Sequence, residues 1–257
     1  MTVAEYIVDE LIKYDVTDAF GVPGGVILRI LYAMQLRIPE MTPHLNYHEQ
    51  MAGFAACGYA QAGNRLGVAY ATRGPGITNM ITCMAEAYQE SLPVLFMTAY
   101  HNVNKNEARF EYSQEVDLTE SVAKFTKYAA RIASMEELPS ILQQACSSAL
   151  TGRKGPVFLD FHAALLGKNI TPILKRKLLT QQCMNINFGE SENIVKYIQK
   201  KVRDAKRPVI LIGDGVRQVK NNTLFNKLTK EKQQVIMNAA ISEFVQSGFD
   251  KASTNEI

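Results

Sequence analysis

No CxxC pair, no histidine cluster, no dense block of lysine or arginine and no apolar run long enough to cross a bilayer occurs in this sequence. Each absence excludes a class of protein. The four cysteines, Cys57, Cys83, Cys146 and Cys183, are widely scattered and read as thiols in a reducing compartment, not as disulfides or zinc ligands. The four histidines are equally dispersed, which argues against a metal centre built from protein side chains alone. A net charge of +3, with no basic stripe interleaved with aromatics, leaves no footprint for nucleic acid or an anionic membrane. The most apolar stretch, LPVLFMTAY, falls far short of a membrane span. The opening residues, MTVAEYIVDELIKY, carry acids inside their apolar pattern and are no signal peptide. A cytoplasmic location is expected. No internal repeat is visible.

What is present is ordinary in bulk. The 257 residues, 47% hydrophobic and 21% charged, suit one full domain plus part or all of a second. The first segment predicts an amphipathic helix with Val3, Ile7, Leu11 and Tyr14 on one face and a Thr2–Glu5 capping box at its start. From residue 16 the pattern alternates. VTDAF, TPHLNY, RLGVAYAT, LPVLFMTAY, KYAARI and GPVFLDF read as strands. Between them fall the helical patterns VILRILYAMQ, residues 48–62, ITNMITCMAEAYQ, a short helix after the polar loop HNVNKNEARFEYSQE, and ELPSILQQACSSAL. Strands separated by helices predict an α/β fold, a parallel sheet covered by helices on both faces. In such sheets ligands sit outside the carboxyl ends of the strands. Three loops fall there: GVPGG, the YHEQ turn and RGPG. Residues 1–165 are read as this domain, 166–188 as a linker and 189–257 as an incomplete second α/β domain that opens with SENIVKYIQKKVRDA and RPVILIG.

Taken singly, the motifs have plain readings. GVPGG fits neither GxGxxG nor the P-loop pattern, and its proline removes a backbone donor, so it reads as a strand-to-helix turn. RGPGITN reads as a tight turn with Thr78 and Asn79 in the first helical turn. Glu49 is harder to assign. It opens a helix, YHEQMAGFAACGYA, whose side chains are almost all small. A carboxylate there is favoured by the helix dipole. The small neighbours equally suit an acid that a flat ligand or a second subunit must approach.

In combination and in order, YHEQMAGFAACGYA, GVPGG, TRGPGITN and SQEVD resemble the pyrimidine-binding domain of thiamine diphosphate enzymes. The nearest branch is that of acetolactate synthase and related 2-oxo acid enzymes. The resemblance covers residues 1 to about 165, and DAKRPVILIGDGV is similar to the opening of the family's central domain. It implies that Glu49 shares a proton with the cofactor's aminopyrimidine ring nitrogen. It puts Pro75 and Asn79 near the cofactor, Gly24 and Gly25 along the thiazolium side, and Gln114 facing the reacting centre. The implied chemistry is decarboxylation of a 2-oxo acid, with the enamine passed to a second carbonyl. Simple decarboxylation, and a non-catalytic binding or regulatory paralogue, are the alternatives. Two positions depart from the family pattern. Arg73 stands ahead of Gly74 where serine is frequent, and Ser113 precedes Gln114 where a larger apolar residue is usual. A use for Arg73 would be to face a 2-oxo acid carboxylate.

The same resemblance implies thiamine diphosphate and Mg2+ as cofactors, with the diphosphate and metal held by a C-terminal domain that this chain lacks. Gly213-Asp214-Gly215 with Asn238 imitates that domain's motif, but the second asparagine is Ala239; it reads as a decoy. The chain alone is therefore expected to be inactive. Its expected partners are a small 2-oxo acid, a second copy in a homodimer or higher oligomer, and a separate chain or domain carrying the diphosphate site.

Overall fold

The computed structural model describes residues 1–101, 114, 116–171, 197, 200–202 and 204. The chain divides into two compact units, Met1–Met184 and Asn185–Ile257. In the second unit the described positions are helical, and Lys201 Nζ lies 5.6 Å from the ring centroid of Tyr197 one turn earlier. The strand RPVILIG, Gly213-Asp214-Gly215, Asn238, Ser113 and Cys183 lie outside the described residues.

The first unit opens with α1 (Val3–Ile12). Its capping box forms as the sequence indicates: Glu5 N–H donates to Thr2 Oγ1 at 3.2 Å, and Thr2 N–H donates to Glu5 Oε2 at 2.8 Å. Two further N–H groups of the first turn, on Val3 and Ala4, reach the carbonyls of Lys168 and Leu166. Donors that a helix start leaves without intrahelical partners are thereby satisfied by residues far along the chain.

Next come β1 (Asp18–Gly21), α2 (Leu28–Gln35), β2 (Thr42–Leu45), α3 (Glu49–Gly63) and β3 (Gly67–Tyr70). They are followed by a single helical turn α4 (Pro75–Thr78), then α5 (Ile81–Gln89) and β4 (Val94–Tyr100). Beyond the polar segment HNVNKNEARFEYSQE come α6 (Thr119–Val122), a 3-10 turn at Ala123–Phe125, β5 (Tyr128–Ile132), α7 (Leu138–Leu150) and β6 (Val157–His162). The pattern ITNMITCMAEAYQ is thus two pieces, interrupted at Asn79 and Met80.

Every strand pairing is parallel, and the order across the sheet is β2-β1-β3-β4-β6-β5. Strand side chains alternate between two cores. Val68, Tyr70, Leu95, Met97, Leu159 and Phe161 point to the face covered by α1, α2 and α7. Ala69, Phe96 and Phe158 point to the face covered by α3 and α5. β4 is buried along its whole length, which its unbroken apolar run requires of a central strand with helices on both sides.

The sheet grows outward in both directions from β1 and β3. The connection after β1 runs to β2 on one side, and the connection after β3 runs to β4 on the other. Connections that diverge from neighbouring strands leave a crevice at their carboxyl ends, where α/β sheets bind ligands.

Candidate functional site

Three loops meet at that crevice: the one after β1 with Gly24 and Gly25, the one before α3 with His48 and Glu49, and the one after β3 with residues 72–79. The helix cap there is His48, not Glu49. His48 has extended backbone, and its Nδ1 accepts from Gln50 N–H at 3.1 Å. The Glu49 side chain is therefore not engaged in capping. Its Oε2 accepts from the Asn79 side-chain amide at 2.9 Å. Among the described residues no donor reaches its Oε1. The break between α4 and α5 gives Asn79 this position: it is the C-cap of a turn begun by Gly74 and Pro75, and its own N–H returns to the Pro75 carbonyl.

The turn around Gly74 is built from close approaches. Gly74 has φ +61°, ψ −122°, a conformation reserved for glycine. A side chain there would run into the carbonyl oxygen of Gln114. Gln114 itself, at φ 67°, is exposed. At Gly76 an added Cβ would lie 2.7 Å from Thr72 Cγ2 and 3.4 Å from Glu49 Oε1. Across the crevice Gly24 presses on the side chain of the same threonine. Gly25 has no atom within 4 Å of where a Cβ would stand.

The fold thus brings together Glu49, Asn79 and Gly76, joins Gly24 to them through Thr72, and sets Gln114 over Gly74. Pro75 and Gly25 stand exposed at the rim. Thr72 was not singled out by sequence. The signal was there: a β-branched residue stands two positions before a Gly-Pro-Gly turn, where the glycine of another loop and the turn itself both close on it. Arg73 is half-buried on the same turn.

These positions fit the pyrimidine side of thiamine diphosphate. A half-buried carboxylate has one oxygen held and one oxygen facing a glycine-lined gap, which suits a partner with a ring nitrogen to share. Among the described residues no group of three or more His, Cys, Asp or Glu able to hold a metal occurs.

Similarity to known proteins agrees. Residues 1–121 match the family described as "Thiamine pyrophosphate enzyme, N-terminal TPP binding domain". The chain is 30% identical over 213 residues to "Acetolactate synthase 1, chloroplastic" of Oryza sativa subsp. japonica, covering 82% of this chain and 33% of that protein. It is 32% identical over 216 residues to "Acetolactate synthase large subunit" of Corynebacterium glutamicum, covering 84% and 34%. It is 34% identical over 218 residues to "Acetolactate synthase isozyme 2 large subunit" of Escherichia coli (strain K12), covering 84% and 38%. The chain spans about a third of the length of these relatives. Residues 1–121 belong to the N-terminal TPP-binding domain family of the thiamine pyrophosphate enzymes, and over about four fifths of its length the chain is similar to acetolactate synthases.

Proposed function

We propose that this chain is the N-terminal portion of a thiamine diphosphate-dependent enzyme that decarboxylates a 2-oxo acid and passes the remaining acyl carbon to a second carbonyl. The observation that carries the reading is the Glu49 carboxylate, held on one oxygen by Asn79 and open on the other, at the crevice of a parallel sheet. When bound, the cofactor's thiazolium supplies the electron sink for decarboxylation. The chain's own residues supply placement and a proton. Asn79 fixes the rotamer of Glu49, so that Oε1 is the atom that shares a proton with the aminopyrimidine nitrogen. Thr72 holds the Gly24 loop against Gly76 and so sets the width of the crevice. Gly25 leaves the thiazolium side clear, Pro75 presents the rim, and Gln114 faces the reacting centre. Arg73, on the same turn, supplies positive charge for the carboxylate of the 2-oxo acid.

The diphosphate and Mg2+ belong, in this reading, to a domain outside residues 1–165, on another part of the protein or on a partner chain. The domain plan that goes with it is 1–165 for the pyrimidine side, 166–188 as linker and 189–257 as part of a central α/β domain. A homodimer is proposed because the outer side of α3 is apolar and open: Met51 and Phe54 are 57% and 43% exposed, and Gly58 has nothing near it. Cys57, Cys83 and Cys146 are buried free thiols, which supports the reducing cytoplasm as its location.

Calorimetric titration of the chain with thiamine, and separately with thiamine diphosphate plus Mg2+, tests the reading. Saturable but weak binding of both ligands is expected, lost in Glu49→Gln, with no gain from the diphosphate and Mg2+. Binding indifferent to Glu49→Gln would sink the assignment of the site. Tight, Mg2+-dependent binding would instead show that the chain carries its own diphosphate site.

A further inference from the structure

Gln114 is read as facing the reacting centre, yet it lies far in sequence from every other residue of the site. Something must fix it there. The side chain that does so stands outside the crevice, on the edge strand β5.

Arg131 touches three elements at once. Its Nε and Nη2 lie 2.9 and 2.8 Å from Asp160 Oδ2 on β6. Its Nη1 lies 3.2 Å from Asp117 Oδ2. Its guanidinium carbon lies 4.0 Å from the ring centroid of Tyr100, the last residue of β4. Asp160 is 2% exposed and is the immovable member, because a buried carboxylate needs its cation. A planar guanidinium with several donors and a stacking face can hold these three partners together, and a lysine ammonium cannot. The Arg131 side chain is itself only 19% exposed, so salt screens the pairing weakly.

Asp117 is doubly held. Its Oδ2 meets Arg131, while its Oδ1 accepts from Thr119 N–H at 3.0 Å and so begins α6. The next residue, Leu118, is buried in the core under α3 and α5. Gln114 stands three residues before Asp117. Three residues span at most roughly 10 Å of extended chain, so the place of Asp117 bounds the place of Gln114. The Gln114 carbonyl then lies against Gly74, at the head of the turn that carries Pro75, Gly76 and Asn79.

We propose that Arg131 is a positioning residue: by anchoring Asp117 to the buried Asp160, it fixes where Gln114 stands over the Gly74 turn. Its bearing on catalysis rests on the proposed function, but the clasp itself does not. Arg131 takes no part in the chemistry.

Gly74 provides the readout, because the Gln114 carbonyl oxygen stands where a Gly74 side chain would begin. The chain would be labelled with 15N-glycine and its amide resonances compared in the wild type, Arg131→Met and Asp117→Asn. Asparagine can still accept from Thr119 N–H, so Asp117→Asn removes the ion pair and leaves the start of α6 intact. Both variants are expected to shift the Gly74 resonance. Gly155, packed on the Lys127 stem beside the start of β5, and Gly53, packed on Cys83, are expected to stay in place. An unmoved Gly74 in Asp117→Asn overturns the proposal. So does a joint movement of Gly74, Gly53 and Gly155, which marks a general packing role. Should Arg131→Met fail to fold, Asp117→Asn alone decides, since the Asp117 side chain is 39% exposed and its loss is tolerable to the core. No cofactor enters this measurement, so its outcome is independent of the thiamine titration.

Discussion

Gly74 and Gly25 sit on neighbouring loops of one crevice and face opposite demands. Gly74 combines a left-handed φ with a carbonyl oxygen where its side chain would be. Gly74→Ala is expected to cost about 1–3 kcal/mol, seen as a lower urea midpoint at unchanged slope. Gly25 has open space beside it, so Gly25→Ala is expected to leave the unfolding free energy within about 0.5 kcal/mol of the wild type. If Gly25 lines the ligand, the same variant weakens thiamine binding while stability holds. A large loss of stability in Gly25→Ala would show that the loop owes its glycine to folding instead. At this scale the sequence marked Glu49 and the glycine turns through their residue types and their places at element starts. It could not mark the pair Glu49–Asn79, separated by 30 positions, because a hydrogen bond between side chains depends on which loops the sheet order makes neighbours. Thr72 went unmarked for the same reason: its role is a contact to two loops, not a chemistry of its own.

Among the elements, α3 shows why a helix can be poor in large residues. Ala52, Ala56 and Ala60 are buried, and a Cβ on Gly53 would lie 2.7 Å from the Cys83 sulfur. α3 and α5 lie too close for larger side chains on the inner side, whatever approaches the outer one. The sequence exposed the small-residue stripe, and the helix-to-helix approach supplies its structural reason. The edge strand β2 is held differently. His44 stacks on Phe20 of β1 with ring centroids 5.1 Å apart, and its Nε2 lies 2.7 Å from Asp18 Oδ1. Burial pushes the Asp18 carboxyl up, but the Thr17 and His44 hydrogen bonds and the His44 and Arg65 charges outweigh it and hold the group below its usual range. A depressed carboxyl stabilises the fold above its unfolded pKa of about 3.9 and loses that contribution as pH falls through its lower folded value. Asp18→Asn is therefore expected to lower the urea midpoint at pH 5, with the difference from wild type shrinking below about pH 4. A difference that stayed constant down to pH 2 would mean the carboxylate's charge plays no part.

At the scale of the whole molecule, the proposed dimer makes the apolar outer side of α3 the decisive surface. Phe54→Asp places a charge there, where the wild-type ring is 43% exposed. The variant is expected to sediment as a smaller species than the wild type while its circular dichroism and urea midpoint are kept. Identical sedimentation of the two proteins would remove α3 from the interface. Stability that fell together with association would mean that the folded unit depends on its partner.

Within the first unit the sequence by itself determined most of the elements, and for α1 and β4 their buried sides as well. Each strand announces itself by β-branched and aromatic residues between turn formers, and each helix by its period, because these are preferences of the local backbone and of short-range burial. The alternation of strand and helix then required a parallel sheet with both faces covered, since a parallel crossover must pass over a face. Motif order along the chain was enough to identify the family. Tertiary structure alone decided the strand order β2-β1-β3-β4-β6-β5, and with it which loops share a crevice. It decided that Glu49 meets Asn79, that Thr72 carries two loops, that His48 takes the cap, and that Arg131 reaches Tyr100, Asp117 and Asp160 together. Those outcomes are contacts between distant segments, set by how the core closes as a whole, and no local pattern encodes them.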